Sequence, residues 1–304
     1  MAKRDLAGLK YKVTEDKWKR VIIDTDAACE ADDPYAIAHA LMSKKLDIRA
    51  IFAEQFHEPG STRKSYDEIM AVLDCMDMSV PVFMGEEGPL EEIEDSSLSP
   101  AAEFLIEEAM REAESPLYVL CMGALTNVAS AIRKNSAIIS KMTVVWIGGH
   151  SHECVNPDHR EFNCGNDVKA ANLVISSGVE FWQIPNNVYG TMHIGLAEIQ
   201  KKIYPYGKIG KHLYENTVNF NESEHAGWTA GESWSLGDSP SVGVVIEPNC
   251  GSSVYKEAPI INEDTSYCFE MGRPKIKVYT SINSRFILED FFAKLQLLYP
   301  YEER

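Results

Sequence analysis

At 304 residues, with 45% hydrophobic and 25% charged side chains, the chain has the make-up of a globular protein that buries a core, and one large α/β domain absorbs that length. Asp and Glu number 46 against 29 Lys and Arg. The resulting net charge of -17 repels polyphosphate backbones and anionic lipid surfaces, which argues against nucleic acid and membranes as partners. The opening stretch, MAKRDLAGLKYKVTEDKWKR, is basic but lacks an apolar core segment, so it does not read as a secretory signal. No segment approaches the ~18 apolar residues needed to span a bilayer. Short apolar runs at 21–23, 48–52, 117–122, 144–147, 181–184 and 276–279 predict buried strands. Between them, 34–44, 66–76, 101–114, 128–134 and 167–177 show helical spacing. This alternation predicts crossover units: a single α/β domain over 1–304, with its core at about 18–300, built on an open, mostly parallel, Rossmann-like sheet flanked by helices. The acidic run 86–95 reads as a solvated loop. Residues 204–234, rich in Gly, Asn, Glu and aromatics, read either as a mobile segment over a pocket or as a plain surface excursion. Seven scattered cysteines without a CxxC pair predict reduced thiols and a cytoplasmic protein.

The most informative stretch is VIIDTDAACEADDPYAIAHAL, where a buried strand runs into Asp24, Asp26, Glu30, Asp32 and Asp33 before a helix begins. A helix start uses one capping residue and at most one more acid, each contributing about 0.5–2 kcal/mol, and does not need five carboxylates. Crowded carboxylates repel unless protons or a cation offset them, and hard oxygen donors select calcium or magnesium. In open α/β sheets, ligands bind at the carboxyl ends of strands, where Asp24 and Asp26 fall. Pro34 suits a first helical turn and fixes Asp32 and Asp33 at the helix mouth. A DxD after a strand also suggests a magnesium-dependent phosphatase of the haloacid-dehalogenase type, though the threonine or serine and lysine motifs of that class are not evident.

DTD, five residues, then DD resembles the signature of the nucleoside hydrolases, whose commoner form has three residues in that gap. LYVLCMGALTNVASAI, TVVWIGG, EFNCGNDVKAANLVISSG, WSLGDSPSVGVVI and KIKVYTSINSRFILEDFF follow in that family's order, so the resemblance runs from Val21 to Phe292. It implies the nucleoside hydrolase fold, a nucleoside as small-molecule substrate, Ca2+ as cofactor and a homodimer or homotetramer. It also implies calcium ligation by Asp26, Asp33, the carbonyl of Thr126 and Asp238, with Asp26 as general base for a water attacking the anomeric carbon. Asp32 and Asn163 would hold the ribose 3-hydroxyl, and Glu161 with Asn156 the 5-hydroxyl, although Asn156 lies one residue closer to EFN than the family spacing. His57 falls where relatives present an asparagine to the sugar. Read without the resemblance, Thr126 and Asp238 are helix caps, and Glu161 and Asn163 are loop residues.

Many relatives carry a histidine directly before the late aspartate to protonate the departing base; this chain has Gly237. Losing a general acid costs about 10²–10⁴-fold in rate if nothing replaces it. Two substitutes offer themselves: His225 or another histidine swinging in from the 204–234 segment, or Trp228 and Trp234 stacking on the base, although tryptophans at such positions also serve as plain packing anchors. The sequence therefore supports an N-ribohydrolase first, and a catalytically weakened ribose- or nucleoside-binding protein second.

Overall fold

The computed structural model describes residues 4–303 apart from 93–97 and 155–156. Asn156 lies outside the described residues. The strands are β1 (Lys19–Thr25), β2 (Leu46–Ala53), β3 (Val82–Met84), β4 (Leu117–Cys121), β5 (Met142–Ile147), β6 (Glu180–Ile184), β7 (His193–Gly195), β8 (Ser233–Ser235), β9 (Gly251–Glu257), β10 (Ile260–Ile261), β11 (Tyr267–Cys268) and β12 (Lys275–Ile282). Eight of them form one sheet in the order β3-β2-β1-β4-β5-β6-β12-β9, parallel except for β9 at the edge. All six strand expectations fall within or overlap these elements, and the open, mostly parallel sheet is as the sequence implied.

The helices are α1 (Asp33–Leu41), α2 (Ser61–Met76), α3 (Pro100–Met110), α4 (Thr126–Lys134), α5 (Phe162–Asn166), α6 (Val168–Ser176), α7 (Asn186–Tyr189), α8 (Leu196–Lys202), α9 (Gly207–Asn221), α10 (Ser239–Ile246) and α11 (Ser284–Leu298). Strand side chains alternate between two cores. Val21, Ile23, Leu120, Val145 and Ile147 join the core containing α1, α2, α9, α10 and α11, whereas Ile22, Val119, Val144 and Trp146 join the one containing α3, α4 and α6. Burial on both faces explains why these strands read as continuous apolar runs.

From β1 the chain winds outward through β2 to β3, then crosses back to β4 on the other side of β1. The carboxyl end of β1 is thus a topological switch point, where the crossovers diverge and leave a crevice. No helix among the described residues is long and apolar enough to cross a membrane.

Two expectations are corrected. Residues 204–234 are not chiefly a mobile excursion: α9 occupies the first half, burying Ile209, Leu213 and Thr217 at four-residue spacing, and the Tyr35 hydroxyl binds the Leu213 carbonyl at 3.0 Å. The intervening Gly, Asn and Glu residues masked that period. In the acidic run 86–95, Glu86 is buried, accepting from the Ser130 hydroxyl at 2.7 Å and the Ser99 amide at 3.2 Å, and Leu90 is buried as well. Residues 93–97 of that run lie outside the described residues.

Candidate active site

A cleft of about 460 Å³ opens at the switch point, lined by Asp26, Glu30, Asp32 and Asp33 from the β1–α1 turn and by Asp238 from the start of α10. Oxygens of Asp32, Asp33 and Asp238 lie within 4.8 Å of one another. Asp32 and Asp238 occupy the N-cap positions of α1 and α10, yet neither side chain makes a capping hydrogen bond. Capping therefore does not account for them. Two helix N-termini, each followed by a proline in the first turn, deliver these carboxylates to one point.

Asp26, Asp33 and Asp238 are 2–4% exposed. Burial, reinforced by the neighbouring Asp33, Asp32 and Glu30 charges, pushes the Asp26 carboxyl well above the usual range. Asp238 is raised by burial and by Asp32, Asp33 and Asp26. Burial lifts Asp33 to about 6 against the hydrogen bond from the Thr25 hydroxyl, and lifts Glu30 to about 7. Asp33 and Asp238 also stand within hydrogen-bonding reach of each other, which two carboxylates tolerate only with a proton or a cation between them. Clustered oxygen-only donors, spared from capping, suit a hard divalent cation such as calcium.

Glycine makes room for Asp26. A Cβ on Gly123, just past β4, would stand 2.7 Å from the Asp26 Cγ and Oδ1, so any side chain there displaces the carboxylate.

Asn163, in α5, lines the cleft beside Met122 and Ile147, and its Nδ2 donates to both their carbonyls, at 2.9 and 3.0 Å. What it can offer a ligand is therefore its carbonyl oxygen, an acceptor suited to a hydroxyl. Trp228 also lines the cleft.

The remaining predicted residues sit elsewhere. Glu161 is buried behind the lining, accepting from the Gly149 and Cys164 amides at 2.7 and 2.8 Å and from the Tyr189 hydroxyl at 2.8 Å. Through Tyr189 it braces the wall. Thr126 heads α4, fully buried, with its hydroxyl donating to Asp167 at 2.9 Å and accepting from Gln55 at 3.1 Å; it is not among the lining residues. Asp24 lies below the cleft, accepting from Asn127 at 2.8 Å, and burial raises it to about 7. His57 is exposed at a positive φ of 62° and does not line the cleft. Neither does His225, which is exposed, nor Trp234, which is 1% exposed and packs edge-on against Phe220. Trp234 is thus a packing anchor for Trp228, whose ring centroid lies 5.2 Å away.

Sequence reasoning missed Cys29, Tyr189, His159, Arg160, His193 and Ser235, all in the lining. Cys29 and Glu30 sit in the lengthened gap between DTD and DD, which was a usable signal. His193 and Ser235 face each other across the antiparallel β7–β8 pair, whose three-residue strands carry no periodicity to read.

A sequence model described as "Inosine-uridine preferring nucleoside hydrolase" matches residues 21–286. The chain is 29% identical over 198 residues to "Uridine nucleosidase 1" of Arabidopsis thaliana, covering 57% of each chain. It is 28% identical over 182 residues to "Pyrimidine-specific ribonucleoside hydrolase RihA" of Escherichia coli O1:K1 / APEC, covering 52% of this chain and 57% of that one. It thus spans just over half the length of these relatives. A solved "Purine-Preferring Ribonucleoside Hydrolase from Gardnerella vaginalis" superposes with a TM-score of 0.76 at 19% identity, over 92% of this chain and 99% of that one, a likeness of fold.

Proposed function

The chain belongs to the inosine-uridine preferring nucleoside hydrolase family, and on that premise we propose that it is a calcium-dependent N-ribohydrolase cleaving the N-glycosidic bond of a ribonucleoside or related N-ribosyl compound. The observation that carries this reading is the meeting of Asp26, Asp32, Asp33 and Asp238 with Asn163 in one cleft at the switch point.

Asp26, Asp33 and Asp238, with the Thr126 carbonyl, would hold the calcium, whose chemistry is to fix a sugar diol and acidify a water. Asp26 would accept the proton of the water that attacks the anomeric carbon. Asp32 and the Asn163 carbonyl oxygen accept from sugar hydroxyls and set the ring's angle, while Glu161 acts through Tyr189 on the cleft wall. The surrounding carboxylates favour the positive charge that develops on the sugar as the C–N bond breaks. Trp228 stacks on the departing base. Free cysteines are in keeping with work in the cytoplasm, and the family resemblance is the ground for a homo-oligomer.

Incubating the purified protein with a panel of purine and pyrimidine ribonucleosides and calcium, and assaying reducing sugar, tests this; silence across the panel sinks it. Gly237, beside Asp238, favours a second reading, a ribose- or nucleoside-binding protein with weakened catalysis, which calorimetric binding without sugar release would support.

A further inference from the structure

The cleft carries charges of both signs. Beyond its five carboxylates, the lining holds three cationic or ionisable basic side chains, Arg160, His159 and His193. A neutral ribonucleoside offers its diol to the carboxylates and acceptor atoms on its base and 5-hydroxyl, but no anion for a guanidinium to neutralise.

Arg160 is nonetheless held in position. Its Nε donates to the Glu263 carbonyl at 3.1 Å, and its guanidinium lies against Gly165, where an added Cβ would come within 3.2 Å of Cζ and Nη1. This leaves the terminal nitrogens as a fork, and among the described residues no carboxylate pairs with them. His159 stands beside it, its Nδ1 on the Asp158 carboxylate at 2.7 Å, which leaves Nε2 as its other ring nitrogen. In a chain of net charge -17, a guanidinium anchored through Nε at a cleft and unpaired at its fork fits an anionic oxygen group, which the fork's geometry matches with two parallel hydrogen bonds.

Resting on the N-ribohydrolase reading of the same cleft, we infer that the substrate is a ribosyl compound carrying an anionic group, phosphate or carboxylate, away from its diol, and that Arg160 recognises that group. The anion is borne either by the sugar's 5-position or by the base, and the test separates these sources.

Calorimetry with calcium present compares ribose 5-phosphate with ribose, and orotidine, whose base carries a carboxylate, with uridine. The anionic member of one pair is expected to bind at least about tenfold tighter. Arg160→Ala should shrink that preference to within about twofold and Arg160→Lys should keep part of it, because an ammonium retains the charge but loses the fork. A thermal melt checks that both variants fold. If ribose and uridine bind and neither anionic partner binds tighter, or if the preference survives Arg160→Ala, the inference is overturned and the hydrolase reading stands. If Arg160-dependent binding appears without release of sugar from any ribosyl compound, the hydrolase reading falls and only the recognition of the anion by Arg160 stands.

Discussion

The two ends of β1 treat buried carboxylates in opposite ways. At the amino end, Glu108 of α3 is wholly buried and meets Arg20 at 2.9 Å, Arg49 at 3.0 Å and Arg111 at 3.0 Å. At the carboxyl end, Asp26, Asp32, Asp33 and Asp238 crowd together with no lysine or arginine bonded to them among the described residues. A buried charge is tolerated when it is paired and hydrogen-bonded. The fold supplies that pairing from its own side chains at one end and withholds it at the other. Such a difference along one strand separates an acid neutralised by the fold from a set that, on the function proposed above, awaits a cation.

The largest expected effect lies at the unpaired end. Asp26→Asn keeps the shape and an oxygen ligand but removes the proton acceptor, so the rate of sugar release should fall about 10²–10⁴-fold while calorimetric ribose binding persists at saturating calcium. Comparable rates in the variant would remove Asp26 as the base. At the paired end, Arg20→Met takes from Glu108 its most buried partner but leaves Arg49 and Arg111, and should cost about 1.5–3 kcal/mol in urea unfolding, with calcium affinity unchanged. A shifted calcium affinity there would mean that the two ends are not separable. Asp238→Asn should show the inverse pattern. Removing one crowded negative charge should leave the calcium-free protein as stable or more so, yet weaken calcium binding about 10–100-fold by titration calorimetry. A calcium-free variant much less stable than the wild type would show Asp238 to be a structural residue.

How much of this was legible follows from where the signals sit. The six strands were readable because burial on both faces makes continuous apolar runs. β9 was not, because this antiparallel edge strand, GSSVYKE, is largely exposed and polar. The carboxylates of the β1–α1 turn were readable because they are adjacent in sequence and exceed what a helix start uses. Asp238 came from resemblance alone, since it reaches the cleft through a distant helix. Arg160, His193 and Tyr189 carried no local pattern, and only the folding of β6, β7 and α5 around the crevice brings them in. Thr126 and Glu161 were placed in the sequence by motif, but the fold commits the Thr126 hydroxyl and the Glu161 carboxylate to protein partners.

The smallest expected effect is also the one that reads the acidic end without substrate. Asp33, at about 6, and Glu30, at about 7, are raised above the ordinary carboxyl values near 4 that the unfolded chain shows. Between those limits the folded protein binds more protons than the unfolded chain, so its stability falls as pH rises through that window. Chelated protein should therefore melt at a higher temperature at pH 5.5 than at pH 8. On the proposed reading calcium would replace those protons, so its stabilisation, about 2.7 kcal/mol at a hundredfold excess over Kd, should be near full at pH 8 and reduced at pH 5.5, where protons compete. Arg20→Met should preserve this contrast, because Glu108 lies at the other end of the strand and its remaining partners are guanidiniums that keep their charge throughout the window. A calcium effect that is equal at both pH values would place the ion somewhere other than among these carboxylates.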